Sequence, residues 1–456
     1  MTDSWTTNSN GAVCLRMVGA PPARNSIFHP DFTYPIYGEE ESIYGYQDLS
    51  LNLGFVSGSL QPLLQLTYGR KVAGSAAKID LPDSKLLECF NKGEVLRCSS
   101  RADMDVKAQK SSSGFEPIGE KVGTWTVPSS EFKGKQKSVR GSASRTPTAE
   151  PEGDHHYEVY LCTWDTPRFK QFYRRMRIFT YFFIEAGTFL DEDEPNWEFF
   201  LLFERDSDSK VHFVGFTSLY RFWTYPDSSR VRLSQFLILP PYQGFGLGTR
   251  LYLSVHDQML KRGDKVAELT VEDPSEAFDR MRDSADLRRL LNPNGLPESS
   301  IKITSFSEGM KGGKLGPPVD AEWSEEQRRL FKIPPRQWSR LVEMIQLMHI
   351  DPSEEEQVKA YRLQVKARIH KQNRDKLSQV SRADRIKTLH ERYEDIVANE
   401  YGELVGVDVS PLLGGVELPE DEEEDAADAS GSHPKKGKGG RPSNGNERPN
   451  KVARLG

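Results

Sequence analysis

The chain has 456 residues, 61 Lys and Arg against 67 Asp and Glu, and a formal net charge of -6, with 36% hydrophobic and 10% aromatic residues. That length predicts two to four domains with real apolar cores, which excludes a wholly disordered or disulfide-dependent chain. The mildly acidic balance excludes a uniformly basic nucleic-acid binder, though not a basic segment.

The start, Met1-Thr-Asp-Ser-Trp, has neither the basic region nor the apolar run of a signal peptide. The densest apolar stretch, Ile178 to Ile184, is too short to span a bilayer, so a soluble intracellular protein without a membrane partner is expected. Residues 1–21 read as a polar, flexible leader. From Asp31 to Val72, runs such as Leu51-Asn-Leu-Gly-Phe-Val and Leu64-Gln-Leu-Thr-Tyr predict strands of a small mixed domain, residues 22–160. Within it, 132–156 has almost no apolar residue and reads as a disordered insertion. Four cysteines, Cys14, Cys89, Cys98 and Cys162, lack CxxC spacing and a nearby His, so idle thiols and no metal are expected.

Order resumes with the strand Tyr157-Glu-Val-Tyr-Leu-Cys-Thr-Trp and a helix over Thr166–Glu185, with Phe169, Phe172, Met176, Phe179 and Phe183 at helical spacing. Strand candidates start at Trp197, His212 and Arg232; a helix over Gly246–Lys261, a strand Val266–Val271 and a helix from Ser275 follow. Strands leading into strand-helix-strand-helix predict an α/β fold over 161–307, a mixed sheet flanked by helices. The Gly- and Pro-rich stretch from Glu308 marks a linker, 308–322. Residues 323–405 read as a helical bundle, one helix start being marked by Asp351 as cap, Pro352 at the first position and Glu354 as capping-box carboxylate. Residues 406–456 read as a disordered tail, acidic at Glu420-Asp-Glu-Glu-Glu-Asp425 and Asp428, then basic at Lys435, Lys436, Lys438, Arg441, Arg448, Lys451 and Arg454. The acidic half suits basic protein segments, and the basic half suits nuclear import or a weak DNA contact.

The most informative run is Leu233-Ser-Gln-Phe-Leu-Ile-Leu-Pro-Pro-Tyr-Gln-Gly-Phe-Gly-Leu-Gly-Thr-Arg-Leu. A strand ends at Pro240-Pro241, and Gln243-Gly-Phe-Gly-Leu-Gly opens a helix whose first amides lack intrahelical partners. Glycines let such a backbone approach a ligand, and amides at a positive helix end suit phosphate oxygens. The glycines, at 244, 246 and 248, do not fit G-x-G-x-x-G, and no Lys-Ser/Thr follows. The pattern is Q-x-x-G-x-G, from Gln243, Gly246 and Gly248.

Here the sequence resembles the GCN5-related acetyltransferases and, within that superfamily, the type B histone acetyltransferases. The closer resemblance rests on Tyr37-Gly-Glu-Glu-Glu-Ser-Ile-Tyr-Gly-Tyr with Ser57-Gly-Ser-Leu, on Phe183-Ile-Glu-Ala with Phe189-Leu-Asp and Trp197, on Ser234 through Gly248, and on Glu272-Asp-Pro-Ser with Met281-Arg-Asp. It covers about residues 28–400 outside the insertion.

The resemblance implies acetyl-CoA as co-substrate and no metal. The pantetheine arm would lie along the backbone of Phe236, Leu237 and Ile238. The pyrophosphate would sit on Gln243, Gly244, Phe245, Gly246, Leu247, Gly248 and Thr249, with Ser275 and Arg282 as further contacts. A backbone amide near Leu237 or Ile238 would stabilise charge developing on the thioester oxygen. Lysine must shed a proton before it attacks. Glu272 is the leading base, expected to be partly buried, with Asp273 and Glu185 as alternate or assisting bases. The resemblance further implies that Glu39, Glu40, Glu41, Trp197, Tyr220, Arg221 and Phe222 contact a histone H4 tail, Arg221 being a departure that adds a positive charge. Asp191-Glu-Asp-Glu194 either adds to the acidic field or is a solvated turn. Implied partners are histone H4, with H3, and a WD40-repeat histone chaperone, in nucleus and cytoplasm. The competing readings are an acetyltransferase of protein N-termini or small amines, and a scaffold that binds CoA and histone without turnover.

Overall fold

Val13, Leu15 and Met17 are buried and alternate with half-exposed Cys14 and Arg16, the period of a strand with one face in a core. Residues 6–18 are thus no flexible leader, contrary to the expectation from their polar start. The computed structural model describes residues 5–73, 79–112, 114–128, 130, 154–301, 315–317 and 319–413. Most of the 132–156 insertion, most of the linker and the charged tail lie outside the described residues. His155 and His156, assigned to the insertion, already belong to a strand.

The N-terminal part contains β1 (Thr6–Asn8), α1 (Ser9–Ala12), β2 (Val13–Val18), α2 (Tyr34–Tyr37), β3 (Ser42–Tyr44), β4 (Tyr46–Gln47), β5 (Ser50–Val56), β6 (Pro62–Thr67), β7 (Arg70–Lys71), α3 (Pro82–Leu87), β8 (Leu96–Arg97) and α4 (Arg101–Ser112). A four-stranded sheet runs β2-β5-β6-β8, and two small ladders pair β1 with β3 and β4 with β7. Six further strands follow: β9 (Glu120–Val127), β10 (His155–Thr163), β11 (Trp197–Arg205), β12 (Val211–Thr224), β13 (Ser228–Ile238) and β14 (Val266–Val271). They form one mixed sheet in the order β14-β13-β12-β11-β10-β9, antiparallel except for the β13/β14 pair. The expected mixed sheet is present, but the boundary at residue 160 is not: it cuts β10, and β9 already belongs to this sheet.

The expected helix over Thr166–Glu185 is two, α5 (Phe169–Met176) and α6 (Ile178–Phe183). They meet at Arg177, whose guanidinium lies 3.3 Å from Cys89 O and 4.4 Å from the Phe189 ring centre. Phe179 on α6 bridges the two sheets, its ring 4.7 Å from Phe55 of β5 and 6.5 Å from Phe213 of β12. One buried apolar cluster accordingly runs from Ala12 to Ala285. Phe179→Ala is expected to cost about 3–5 kcal/mol in denaturant unfolding, because both sheets lose the ring between them; a cost under about 1 kcal/mol would show that the sheets do not depend on it.

Helix α7 (Leu247–Lys261) packs between β13, β14 and α8 (Glu276–Leu290). The second core, from Leu287 to Leu412, is built from the end of α8 with α9 (Glu298–Ile301), α10 (Ala321–Leu330), α11 (Pro335–Leu347), α12 (Glu355–Gln372), then, past the short α13 (Arg374–Leu377), α14 (Arg382–Asp395), a π-helical stretch Ile396–Gly402 and α15 (Glu403–Val405). Ala285 belongs to the first core and Leu287 to the second, so the division falls inside α8 rather than at 308–322. Buried Asp283 and Asp286 of α8 accept hydrogen bonds from Gln337 of α11 at 3.2 and 2.7 Å, and Leu269 N of β14 donates to Lys332 O at 2.8 Å. The start expected at Asp351 is displaced to Glu355: Asp351 Oδ1 takes the Ser353 N–H and O–H instead, a local turn that competes with the helix. Among the described residues no helix is long and apolar enough to cross a membrane.

Candidate active site

Period-2 alternation sorts the side chains of the β11–β14 region onto two faces. Trp197 of β11 stands opposite Tyr220 of β12, which stands opposite Arg232 of β13. The rings of Trp197 and Tyr220 lie 4.9 Å apart, and those of Tyr220 and Phe222 4.6 Å apart. The Arg232 guanidinium sits 4.7 Å from the Phe222 ring centre and 3.7 Å from Glu272 Oε1. Ser234, two residues on and so on the same face, donates to Glu272 Oε2 at 2.5 Å. Glu272 itself follows β14 directly, its amide bonded to Leu233 O at 2.9 Å. An aromatic wall thus leads without a break to one carboxylate. Ser234 and Arg232 were not singled out from the sequence, though their register two and four residues before Phe236 was readable.

Glu272 is only partly covered, its side chain 45% exposed. Asp273 is exposed too, in a left-handed conformation with φ 34°. Glu185 is exposed on the loop after α6. That loop reaches β13 where Gln235 donates to Thr188 O at 2.8 Å. It also meets the N-terminal acidic turn, since Ala186 N donates to Tyr34 Oη at 2.7 Å. In that turn Glu39 and Glu40 are exposed, whereas Glu41 is engaged: it accepts from Thr33 N at 2.7 Å, Tyr34 N at 3.1 Å and Asn10 at 2.6 Å. Glu41 thus holds the turn together, and the two exposed glutamates are left to meet a ligand. Arg221 parts from Tyr220 and Phe222, for alternation turns it to the opposite face, 3.2 Å from buried Glu198. Glu192, in the acidic run before Pro195, is spent on a bidentate pair with Arg174 at 2.7 to 3.1 Å, so that run is a braced turn.

The pairing of β13 with β14 stops at Leu233↔Val271. Beyond it Phe236, Leu237 and Ile238 remain paired only with β12, leaving the other edge of their backbone without a strand among the described residues. Gln243 donates to Ile238 O at 2.7 Å and so fixes the loop's entry. Gly244 and Gly246 have φ of 84° and 75°, conformations other residues adopt only with strain, and a Cβ on either would meet nothing within 4 Å. Gly246 leads into α7 with no side-chain cap and no acid in the first turn, so the amides of Leu247, Gly248 and Thr249 are not closed off by a side chain. A Cβ on Gly248 would come 3.3 Å from Met281 Sδ, showing how tightly α8 packs against the start of α7. Ser275 and Arg282 are engaged within α8: Ser275 caps it through Phe278 N and Arg282 bonds Asp279 at 2.7 Å. An open strand edge continuing into an uncapped glycine loop fits an extended ligand that ends in phosphates. Among the described residues no group of three His, Cys, Asp or Glu could hold a metal ion.

Arg24, which the sequence gave no reason to notice, underlies this loop. It is 1% exposed, donates to Pro241 O at 2.8 Å, and its guanidinium lies 4.3 Å from the Phe245 ring centre and 5.0 Å from that of Tyr242. Buried Glu204, 2.6 Å from His155 Nδ1 and accepting from Tyr157 Oη at 3.1 Å, faces the same cluster. Burial alone would push the Glu204 carboxyl up, but the His155 hydrogen bond and the charge of Arg24 outweigh it and hold the group below the usual carboxylate range. A lowered folded value stabilises the fold above the unfolded value, about 4.3, and that contribution is lost as pH falls through the folded value. Acid unfolding followed by circular dichroism should therefore be shallower below about pH 4.3 in Glu204→Gln than in wild type; identical slopes would remove Glu204 from the acid response.

Residues 5–185 match a family model described as Histone acetyl transferase HAT1 N-terminus, and 157–280 match the Acetyltransferase (GNAT) family. Along its full length the chain is 47% identical, over 470 residues, to a histone acetyltransferase type B catalytic subunit from Mycosarcoma maydis, with 100% of each covered. The chain belongs to the type B histone acetyltransferase catalytic subunits. A relative of the same description from Cryptococcus neoformans is 38% identical over 89% of this chain and 98% of its own length, and one from Candida albicans 30% identical over 88% and 91%. Residues 283–351 match a model described as Fungal HAT1, C-terminal. This type B histone acetyltransferase is an enzyme of the GNAT fold, and GNAT acetyltransferases use acetyl-CoA.

Proposed function

We propose that this chain acetylates lysine side chains in the N-terminal tail of newly synthesised histone H4 by direct attack in a ternary complex, supporting histone deposition and chromatin assembly. The observation that carries the reading is the unbroken face from Trp197 through Tyr220 and Phe222 to Glu272. A lysine stem packs on aromatic rings while its ammonium seeks a carboxylate. An unperturbed lysine ammonium has a pKa of about 10.4, so a base must take its proton before the nitrogen can attack. Glu272, half in solvent and steadied by Ser234 and Arg232, receives that proton directly or through water. Exposed Glu39, Glu40 and Glu185 supply the acidic field that draws a basic peptide, with Asp273 beside the base. Bound acetyl-CoA supplies the activated acyl group. The chain holds it along the open backbone of Phe236–Ile238 and at the amides from Gln243 to Thr249, at the positive end of α7.

Histone H3 would arrive with H4, and a WD40-repeat histone chaperone would be the partner subunit, in cytoplasm and nucleus where new histones travel. The test is labelled acetyl-CoA with an H4 tail peptide and an H3 tail peptide, followed by mass-spectrometric mapping. Transfer to H4 lysines in excess over H3 is expected. Absence of transfer to H4, with and without the chaperone, would overturn the reading in favour of a non-catalytic scaffold, and transfer only to peptide α-amines or small amines would redirect it to those substrates.

A further inference from the structure

Between Lys359 and Arg392 the sequence has eleven Lys and Arg against three acids, in a chain whose net charge is -6. Helices α12 and α14 carry most of them as an antiparallel pair, with Tyr361 6.5 Å from Tyr393 and Lys366 Nζ 3.3 Å from His390 Nδ1. Some of these cations have partners: Arg368 bonds Glu343 at 2.7 and 2.8 Å, and exposed Arg392 bonds Asp395, while on neighbouring α11 Arg340 bonds Glu400 at 2.7 Å and Asp283 at 3.1 Å. Five others do not. Lys371, Arg374, Lys376, Arg382 and Lys387, at the end of α12, on α13 and at the start of α14, are exposed and make no ion pair among the described residues. Like charges so close repel one another unless a counter-charge covers them.

We propose that the acidic run Glu420–Asp425 of the same chain docks on this face. Two observations select it over a foreign polyanion. It is six consecutive carboxylates, opposite in sign to the face. It is also tethered within reach: Leu412 O accepts from Tyr393 Oη at 3.3 Å, which pins the chain beside α14, and Glu420 is seven residues past Leu413. Seven extended residues span up to about 23 Å and six about 20 Å, against about 21 Å for the length of α14. Tethering gives a local concentration on the order of millimolar. Exposed ion pairs are individually weak and screened by salt, so the contact is reversible and salt-sensitive. A basic peptide then competes for the acids and a polyanion for the face. The contact does not depend on the reading of the acetylation site.

Carbodiimide cross-linking of the full chain with mass spectrometry tests it. Cross-links from Glu420–Asp425 to Lys371, Lys376 and Lys387 are expected at low salt, falling about tenfold at high salt. The double variant Arg374→Glu, Arg382→Glu, which spares every cross-linking lysine, should lower their yield to a similar degree. Cross-links confined to Lys435, Lys436 and Lys438, cross-links only between isotopically distinct copies, or a yield unchanged by salt would overturn the proposal. Retention of a DNA duplex by the full chain without cis cross-links would assign the face to nucleic acid instead.

Discussion

Glu272→Gln is expected to lower the turnover of histone peptide acetylation by about 10²- to 10⁴-fold, the usual contribution of a positioned general base, with the affinity for acetyl-CoA nearly unchanged. The amide keeps the size of the carboxylate and can still accept from Ser234, so the strand end and the aromatic face persist. What is lost is a group that takes a proton. The residue lies outside the glycine loop and the open edge of β13, which is why the cofactor should bind as before. Turnover measured against pH, with calorimetric titration of CoA, separates the two effects. Equal turnover in variant and wild type would remove Glu272 as base, and the same assay on Glu185→Gln and Asp273→Asn would then show which carboxylate carries the proton.

The second large effect is expected at Arg24. Truncation to Ala removes the hydrogen bond to Pro241 O, leaves Phe245 and Tyr242 without the guanidinium against their rings, and strips buried Glu204 of a compensating charge. Breaking a buried charge cluster from one side costs about 3–5 kcal/mol. Because Phe245 is itself part of Gln243–Gly248, the KM for acetyl-CoA should rise while the KM for the histone peptide stays near its wild-type value. Arg24→Lys keeps the charge but not the planar stack, so it should recover part of the stability and little of the cofactor affinity. An Ala variant that binds CoA like wild type would mean that the loop holds its shape unaided.

The elements nearest the site were readable because their signals are local. A strand running into Gln243-Gly-Phe-Gly-Leu-Gly announces an open helix start, and the spacing of Phe169, Phe172, Met176 and Phe179 announces a buried helical face. The orientation of Arg221 was also there to be read, since strict alternation must turn it away from Tyr220 and Phe222. The leader was misread because the polar residues before Ala12 outweighed a six-residue alternating run. The helix start at Asp351 was misread because a side chain that can cap can equally close a turn. Arg24, Glu204 and the double-faced helix α8 could not have been found this way. Their roles are set by partners far along the chain, and a guanidinium in a polar stretch looks the same whether it ends in solvent or under a loop.

The hydrogen bond from Arg24 to Pro241 joins positions 217 residues apart, and the cluster from Ala12 to Ala285 is closed by many such long connections. During synthesis, therefore, the first strands leave the ribosome long before the residues that bury them exist. Until β13 and the glycine loop have been made, the apolar face of β2 and β5 has no complete partner and is open to wrong associations. Non-local closure of this kind is also slow. The lifetime of the nascent chain, more than the stability of the finished molecule, is then where the N-terminal half makes its demand, and a chain halted before residue 241 should be held by chaperones rather than released as a folded piece.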